Sequence, residues 1–165
     1  MKVSIYFAIA LLVVASGCAS KQAQQAENSP EKTTQIKTLV DSKNYVFIAN
    51  SVSPQRGRVR QLSYGYDMTV SPDTIKASLP YFGRAYSAPI GSSEGGINFT
   101  STNFEYTAVD RPKGGWDITI KPKESIDARQ LQLYISGNGY ASLNVVSNNR
   151  DPISFSGTIA ERKRK

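Results

Sequence analysis

Apolar and polar side chains alternate along most of the chain from residue 45 onwards. Leu131, Leu133 and Ile135, for example, are separated by a glutamine and a tyrosine. Because successive side chains of a strand point to opposite faces of its sheet, this alternation predicts strands with one buried face. Proline, aspartate, asparagine and glycine interrupt the alternation about every 8 to 14 positions, as expected of turns. The pattern predicts an all-β fold, an antiparallel sandwich or barrel of about nine short strands.

One helix is expected before the strands, because Ile36, Leu39 and Val40 follow helical spacing within residues 33–44. Trp116 stands beside a hairpin turn, where we expect a core side chain rather than a platform for a sugar. The strand over residues 58–64 has the weakest alternation. The predicted strands cover residues 45–49, 58–64, 66–70, 74–77, 96–99, 104–110, 116–121, 130–136, 140–147 and 153–160.

The N-terminus has the composition of a bacterial secretion signal. Lys2 precedes an apolar run over residues 3–15, which as a helix would be about 20 Å long and too short to cross a bilayer. That length is typical of a signal peptide. The run ends in Ala-Ser-Gly-Cys, which resembles the lipobox whose cysteine is acylated in bacterial lipoproteins. We expect a signal peptide over residues 1–17 and lipid attachment, with palmitate among the acyl chains, at Cys18. In the alternative, an ordinary secreted protein carries a cysteine there by chance.

The residues after the cysteine predict the location and the domain boundaries. Ala19 stands where an aspartate marks many lipoproteins of the inner membrane, so we expect an outer-membrane anchor facing the periplasm. Residues 18–32 are polar, lack aromatic side chains and read as a flexible tether. A single β-rich domain is expected over residues 33–161, with a basic tail over 162–165.

Composition excludes several kinds of chemistry. The chain has no histidine and one cysteine, which removes histidine-based catalysis, histidine metal sites and an internal disulfide. We expect no catalytic residue, no metal and no cofactor. Of the net charge of +7, Lys2 carries one and residues 162–165 carry four, so the rest carries +2. This distribution and the envelope location argue against nucleic acid, and leave the membrane and an unknown envelope protein or small ligand as partners.

Residues 79–89 form the least ordinary stretch, because it crowds three aromatic side chains, an arginine and two prolines together. In one interpretation Tyr81, Phe82 and Tyr86 cover the core or a sheet edge, and Arg84 pairs with a buried carboxylate. In the other, Arg84 offers its planar donor group beside aromatic rings to a carboxylate, a phosphate or a sugar-like ligand. The glycines of residues 91–96 would then belong to a mobile lid.

A second candidate is the run Arg56, Arg58 and Arg60, continued by Tyr64 and Tyr66. In an extended backbone this spacing puts all five side chains on one face. They could bind an anion or a glycan, or the arginines could protect a solvated edge strand from aggregation.

Paired carboxylates give little support for catalysis. Asp67 and Asp73 flank a hairpin, and Glu105, Asp110 and Asp117 lie on or beside strand ends. Two carboxylates about 5 to 10 Å apart could hydrolyse a glycoside, but the spacing selects no pair. Two other carboxylates, those of Asp127 and Asp151, are expected to cap backbone amides in turns.

Two segments carry a resemblance to a known family. They are LPYFGRAY at residues 79–86, followed by a glycine-rich run, and GYASLNVVSNNRDPISFSG at residues 139–157. Over about residues 40–160 the chain resembles a family of bacteroidete lipoproteins of unknown function. LPYFGRAY and the NR-x-x-I-S-F-S-G strand are its markers. The resemblance implies a small secreted or lipid-anchored domain, and no activity, because none is established for the family.

The favoured function is a non-catalytic binding or interaction module, held at the cell envelope by its lipid. The alternative is a carrier of a small ligand, with a pocket near Tyr81 to Tyr86. An envelope hydrolase using paired carboxylates has the least support.

Overall fold

The computed structural model describes residues 30–63, 65–86, 95–112, 114–125 and 127–162. Its elements are one helix and ten strands: α1 (Pro30–Asp41), β1 (Tyr45–Pro54), β2 (Arg60–Gln61), β3 (Asp67–Val70), β4 (Ile75–Leu79), β5 (Ile97–Ser101), β6 (Phe104–Asp110), β7 (Trp116–Pro122), β8 (Gln130–Ile135), β9 (Tyr140–Val146) and β10 (Ile153–Glu161).

The strands form one antiparallel, barrel-like sheet that is nearly closed. Nine of them run in the order β5-β4-β3-β1-β10-β9-β8-β7-β6, and β2 pairs with β1 beside this path. The two end strands, β5 and β6, are joined by only two residues, which allow about 11 Å between their ends. The sheet therefore has to curl until its edges meet at that turn. The all-β prediction is confirmed, and of its two architectures the chain adopts the barrel.

One face of the sheet forms the core, as the alternation predicts. β8 buries Leu131, Leu133 and Ile135, and Trp116 lies in the core with 5% of its surface exposed. The set of buried side chains switches along β1: odd-numbered residues are buried up to Ala49, and even-numbered residues are buried from Val52 onwards. The register shift between Ala49 and Ser51, a β-bulge, causes the change.

The helix begins at Pro30, earlier than the predicted Thr33. Backbone N–H groups in the first turn of a helix have no acceptor within the helix. Proline, which lacks an N–H, is therefore well tolerated there. Residues 30–32, which the composition places in the tether, are therefore helical. The helix ends at Asp41 rather than at residue 44, since Lys43 adopts a left-handed conformation with φ of 50°. The N–H of Asn44 then donates to the carbonyl of Leu39 at 3.1 Å and closes the last turn.

The helix covers one end of the barrel. Its Ile36 and Val40 are buried, and Thr33 and Ile36 lie against the β8–β9 turn at Gly137 and Gly139. We call this the helix end. The opposite end, where β1 finishes at Pro54, is the far end. Within the described ranges no helix is both long and apolar enough to span a bilayer.

Candidate functional site

The aromatic segment over residues 79–86 lies at the far end and is fixed to the loop before β10. The hydroxyl of Tyr81 lies 2.7 Å from the carbonyl oxygen of Arg84 and 3.0 Å from that of Asp151. The N–H of Asp151 donates to the Arg84 carbonyl at 3.0 Å, and the N–H of Tyr86 donates to that of Asn149 at 2.8 Å. The segment is therefore held by its own backbone and by one tyrosine hydroxyl.

Arg150 is the buried arginine of this region, and it supports the segment from below. Its guanidinium donates to the carbonyl of Gly96 at 2.7 Å and pairs with the Asp127 carboxylate at 3.3 Å. The same group lies 5.1 Å from the centre of the Tyr81 ring. The sequence interpretation that gives a buried ion pair to Arg84 therefore assigns it to the wrong residue, because Arg84 is exposed.

Gly83 allows this arrangement. A Cβ added at that position would collide with the hydroxyl end of the Tyr81 side chain. The collision could not be relieved cheaply, since that hydroxyl is held between two carbonyl oxygens. Burial is the main factor raising the pKa of Tyr81, and the Asp151 charge adds to it, so the hydroxyl stays protonated as the donor.

Phe82, Arg84 and Tyr86 point outward from this fixed base. The Phe82 side chain is 40% exposed and that of Tyr86 is 72% exposed. The Tyr86 hydroxyl donates to the Asp151 carboxylate. This hydrogen bond raises the pKa of Tyr86, and the nearby charges of Arg56 and Arg84 act to lower it.

The arginine run meets the aromatic segment on the outside of the barrel. Arg60 pairs with Val52 in the β1–β2 ladder, and its guanidinium lies 4.7 Å from the centre of the Phe82 ring. Arg56 is near enough to Tyr86 to influence its pKa. Two segments that the sequence suggests separately therefore form one surface. We call it the arginine–aromatic surface and define it by Arg56, Arg60, Phe82, Arg84 and Tyr86.

The arginines of this surface form no ion pair with the described residues, although the Asp151 carboxylate lies at its border, hydrogen-bonded to Tyr86. Arg58 is exposed, and among the described residues it has no hydrogen bond, ion pair or ring contact. The three arginines do not share one extended strand, because only Arg60 lies in β2 and the backbone bends at Gly57 with φ of 129°. Tyr66 is half-buried against the core.

The structure distributes the candidate carboxylates over several places. Glu105 forms an exposed ion pair with Lys123, and Asp117 forms one with Arg111. Asp127 accepts the backbone N–H of Asn98 at 3.4 Å, a long-range contact with β5 rather than the expected cap of its own turn, and it also holds Arg150. The Asp151 carboxylate accepts from the Tyr86 hydroxyl rather than from a backbone amide. The described residues hold no cluster of three or more side chains suited to a metal ion.

Asp67 and Asp73 line a groove that sequence reasoning missed. It has a volume of about 790 Å³ and lies on the outer face of β1, β3, β4 and β10. Its floor includes Val46 and Ile48, and Arg162 donates to Ser71 Oγ at 2.6 Å beside it. The register of four strands creates this groove, so no local sequence signal marks it.

The groove beside the aromatic segment is smaller, with a volume of about 300 Å³. Tyr81 and Phe82 line it together with Leu79, Gly96 and other neighbours, and no arginine lines it. The inside of the barrel is occupied by large buried side chains, among them Phe47 and Phe155.

Several predicted features lie outside the described residues. They are the signal peptide, Cys18, the tether up to residue 29, Tyr64, residues 91–94 of the predicted lid and the tail residues 163–165.

Comparisons with known proteins identify the family. The chain matches the family model described as Domain of unknown function (DUF4251) over residues 27–159. It is similar to a crystal structure of a DUF4251 family protein from Bacteroides eggerthii DSM 20697, with a TM-score of 0.59 and 14% sequence identity, over 83% of this chain and 92% of that chain. At this identity the likeness concerns the fold alone. No curated protein matches the chain. With the family model matched over most of its length, the chain belongs to the DUF4251 family.

Proposed function

We propose that this protein is a lipid-anchored envelope protein whose barrel binds an anionic ligand or partner, without catalysis, at the arginine–aromatic surface. Cys18 carries the lipid in this proposal, and the tether links it to the barrel at the outer membrane, on the periplasmic side. LPYFGRAY, which we propose as a marker of the family, supplies three of the five residues of the surface.

The contact between Arg60 and Phe82 is the observation that carries this proposal. It joins two segments about twenty residues apart into one exposed surface, with a guanidinium 4.7 Å from the ring centre. A guanidinium is planar, and its N–H groups match the two oxygens of a carboxylate or the oxygens of a phosphate. Among the described residues no carboxylate lies within ion-pair distance of Arg60, so its guanidinium is available for such a ligand.

The carrier alternative receives less support from the geometry. A site for a small ligand is usually an enclosed pocket that buries most of the ligand surface. The groove at Tyr81 and Phe82 holds about 300 Å³, and the arginines lie outside it. The barrel therefore suits a partner that is bound on its surface.

Binding of soluble polyanions tests the proposed surface. The chain is purified from its own membrane in an uncharged detergent, and polyphosphate and polyglutamate are titrated against it by calorimetry. We expect both anionic polymers to bind and neutral dextran to fail. The double variant Arg60→Ala/Arg84→Ala should bind about tenfold or more weakly, because each exposed guanidinium contacts the polymer.

Arg111→Gln is the matched control, since Arg111 is an exposed arginine at the helix end. It is stacked on Tyr134, as Arg60 is on Phe82. It should bind as the original chain does. Absence of polyanion binding, or equal weakening in the control, would contradict the proposed site.

Lipidation is tested by growing cells with a clickable palmitate analogue and comparing the chain with its Cys18→Ser variant. We expect label on the original chain and none on the variant, which should leave the membrane fraction. Protease added to intact cells should spare the barrel if it faces the periplasm. Digestion would place it on the cell surface instead and overturn the proposed orientation.

A further inference from the structure

We propose that the arginine–aromatic surface docks an acidic segment of a partner protein, which approaches from the side of the barrel turned away from the anchoring membrane. This inference deepens the proposed function and depends on it, including lipid attachment at Cys18.

The composition of the surface favours a protein partner over a small anion. Arginine, tyrosine and phenylalanine are enriched in protein interfaces. Arginine and tyrosine are also common among the interface residues whose replacement by alanine weakens binding most. Phe82 and Tyr86 expose 40% and 72% of their surfaces, so both rings can be covered by a partner. The arginines at their sides supply charges that an acidic segment would complement.

The shape of the surface supports the same choice. The arginines stand on open surface, and the nearby groove is lined by none of them. A single small anion would therefore remain largely hydrated when it met these side chains, and would gain little. A segment with several carboxylates could contact separated arginines at once. Because these contacts are linked, the overall affinity is much higher than that of any single contact.

The rigidity of the base makes this open surface suitable for docking. Tyr81 and Asp151 fix the backbone around Arg84, and Tyr86 is tied to the Asp151 carboxylate. A surface that is ordered before binding loses less conformational entropy when the partner arrives.

The direction of approach follows from the two ends of the barrel. The tether joins α1 at the helix end, where β1 begins at Tyr45. Arg60 pairs with Val52, seven residues further along β1, which corresponds to about 24 Å along the strand. With the helix end toward the bilayer, the surface therefore lies at the end of the barrel farther from it, where a partner rather than lipid headgroups would meet it.

Fluorescence anisotropy with defined probes tests this inference. The chain is purified in uncharged detergent and titrated against a labelled peptide of about ten residues, mostly glutamate with two leucines. Its matched lysine peptide, inorganic polyphosphate and vesicles of phosphatidylcholine with about 30% phosphatidylglycerol serve as comparisons. We expect the glutamate peptide to bind and the lysine peptide to fail. Because the lipid anchor inserts into any bilayer, the anionic vesicles should bind no better than vesicles of phosphatidylcholine alone. Phe82→Ala should weaken peptide binding about tenfold, as expected for an interface aromatic side chain, and Arg111→Gln should not.

Each outcome decides between the two proposals. If polyphosphate binds at this surface and the glutamate peptide does not, the acidic partner is wrong and the anion-binding function stands. If the anionic vesicles bind better than vesicles of phosphatidylcholine alone, the proposed orientation is wrong. If no anion binds, both proposals fail. When the lipidated chain is placed in nanodiscs, peptide affinity should be equal with neutral and anionic lipid, and competition by the anionic lipid would overturn the orientation.

Discussion

At the scale of single residues, Arg150 helps to hold the candidate surface in place, although it does not belong to that surface. It is 6% exposed and touches three partners: the Gly96 carbonyl, the Asp127 carboxylate and the Tyr81 ring. A buried ion pair adds little net stability, but removing one partner leaves an uncompensated charge. The surface therefore depends on a residue that no ligand need touch.

We expect Arg150→Ala to lower the free energy of unfolding by about 3 kcal/mol, because the Asp127 carboxylate loses its partner. The melting temperature of the domain should fall by about 10 °C. Arg84→Ala is the matched control, since it removes an exposed arginine of the same region and should change stability by less than about 0.5 kcal/mol. Urea and thermal unfolding measure both variants. Equal stability of the two variants would contradict the roles given to these arginines.

Gly83 offers a second test at the residue scale. Gly83→Ala places a methyl group against the Tyr81 hydroxyl, which must then give up its carbonyl partners. We expect a loss of about 2 kcal/mol in unfolding free energy. Gly95→Ala is the control, because a Cβ there meets no described atom within 4 Å. If Gly83→Ala is as stable as the Gly95 variant, the close contact with Tyr81 is wrong.

Among the described strands, β1 pairs with the largest number of others, because its bulge divides one of its edges between two partners. Before the bulge it pairs with β3, and after it with β2. The backbones of β1 and β10 also approach closely at Gly157, where an added Cβ would collide with the Ile48 carbonyl. Only glycine fits there, since the obstacle is backbone rather than a flexible side chain.

Gly157→Ala should therefore destabilise the barrel by about 3 kcal/mol, as expected when a core position is overpacked. The neighbouring Ser156→Ala changes an exposed position of the same strand and should stay within about 0.5 kcal/mol. Chemical denaturation of both variants gives the comparison. A mild effect at Gly157 would mean that β1 can shift away from β10 at the bulge.

Comparison of the predicted with the observed strands shows which features of the fold the local sequence determines. The prediction of residues 104–110 agrees with β6, and that of 130–136 with β8 to within one residue, because side-chain alternation is a local property. The prediction of a strand over 58–64 is wrong for the described residues 58–63 except at Arg60–Gln61. The bulge redirects its neighbours, so that Leu62 donates to the Asn50 carbonyl at 2.9 Å. The contact of Arg60 with Phe82 depends on the same long-range register. The sequence can therefore nominate both segments of the surface but cannot bring them together.

In the whole molecule, opposite walls of the barrel meet through the side chains inside it. The hydroxyl of Tyr45, on β1, lies 3.3 Å from that of Tyr106, on β6. These strands are well separated along the sheet, so the contact exists only because the sheet is curled. Burial is the main factor raising the pKa of Tyr45 well above 10.0, and burial also raises the pKa of Tyr106.

This pair of tyrosines should make the barrel less stable as the pH becomes alkaline. Both tyrosines have a raised pKa in the folded state. Their contribution to the unfolding free energy is therefore fully present below the ordinary pKa of 10.0 and is lost as the pH rises above it. Unfolded tyrosines release their protons there while the folded ones keep theirs. The unfolding free energy should fall above about pH 10, by up to about 1.4 kcal/mol per pH unit for each tyrosine.

Urea unfolding at several values from pH 8 to about pH 11 measures this slope, and Tyr106→Phe is the comparison. The variant keeps the ring but lacks the ionisable hydroxyl of Tyr106. Its unfolding free energy should therefore fall less steeply above pH 10. Its lower stability at pH 8 does not affect the comparison, because the test concerns the slope. Identical slopes would show that Tyr106 titrates in the folded barrel as it does in the unfolded chain, which would contradict its burial between the barrel walls.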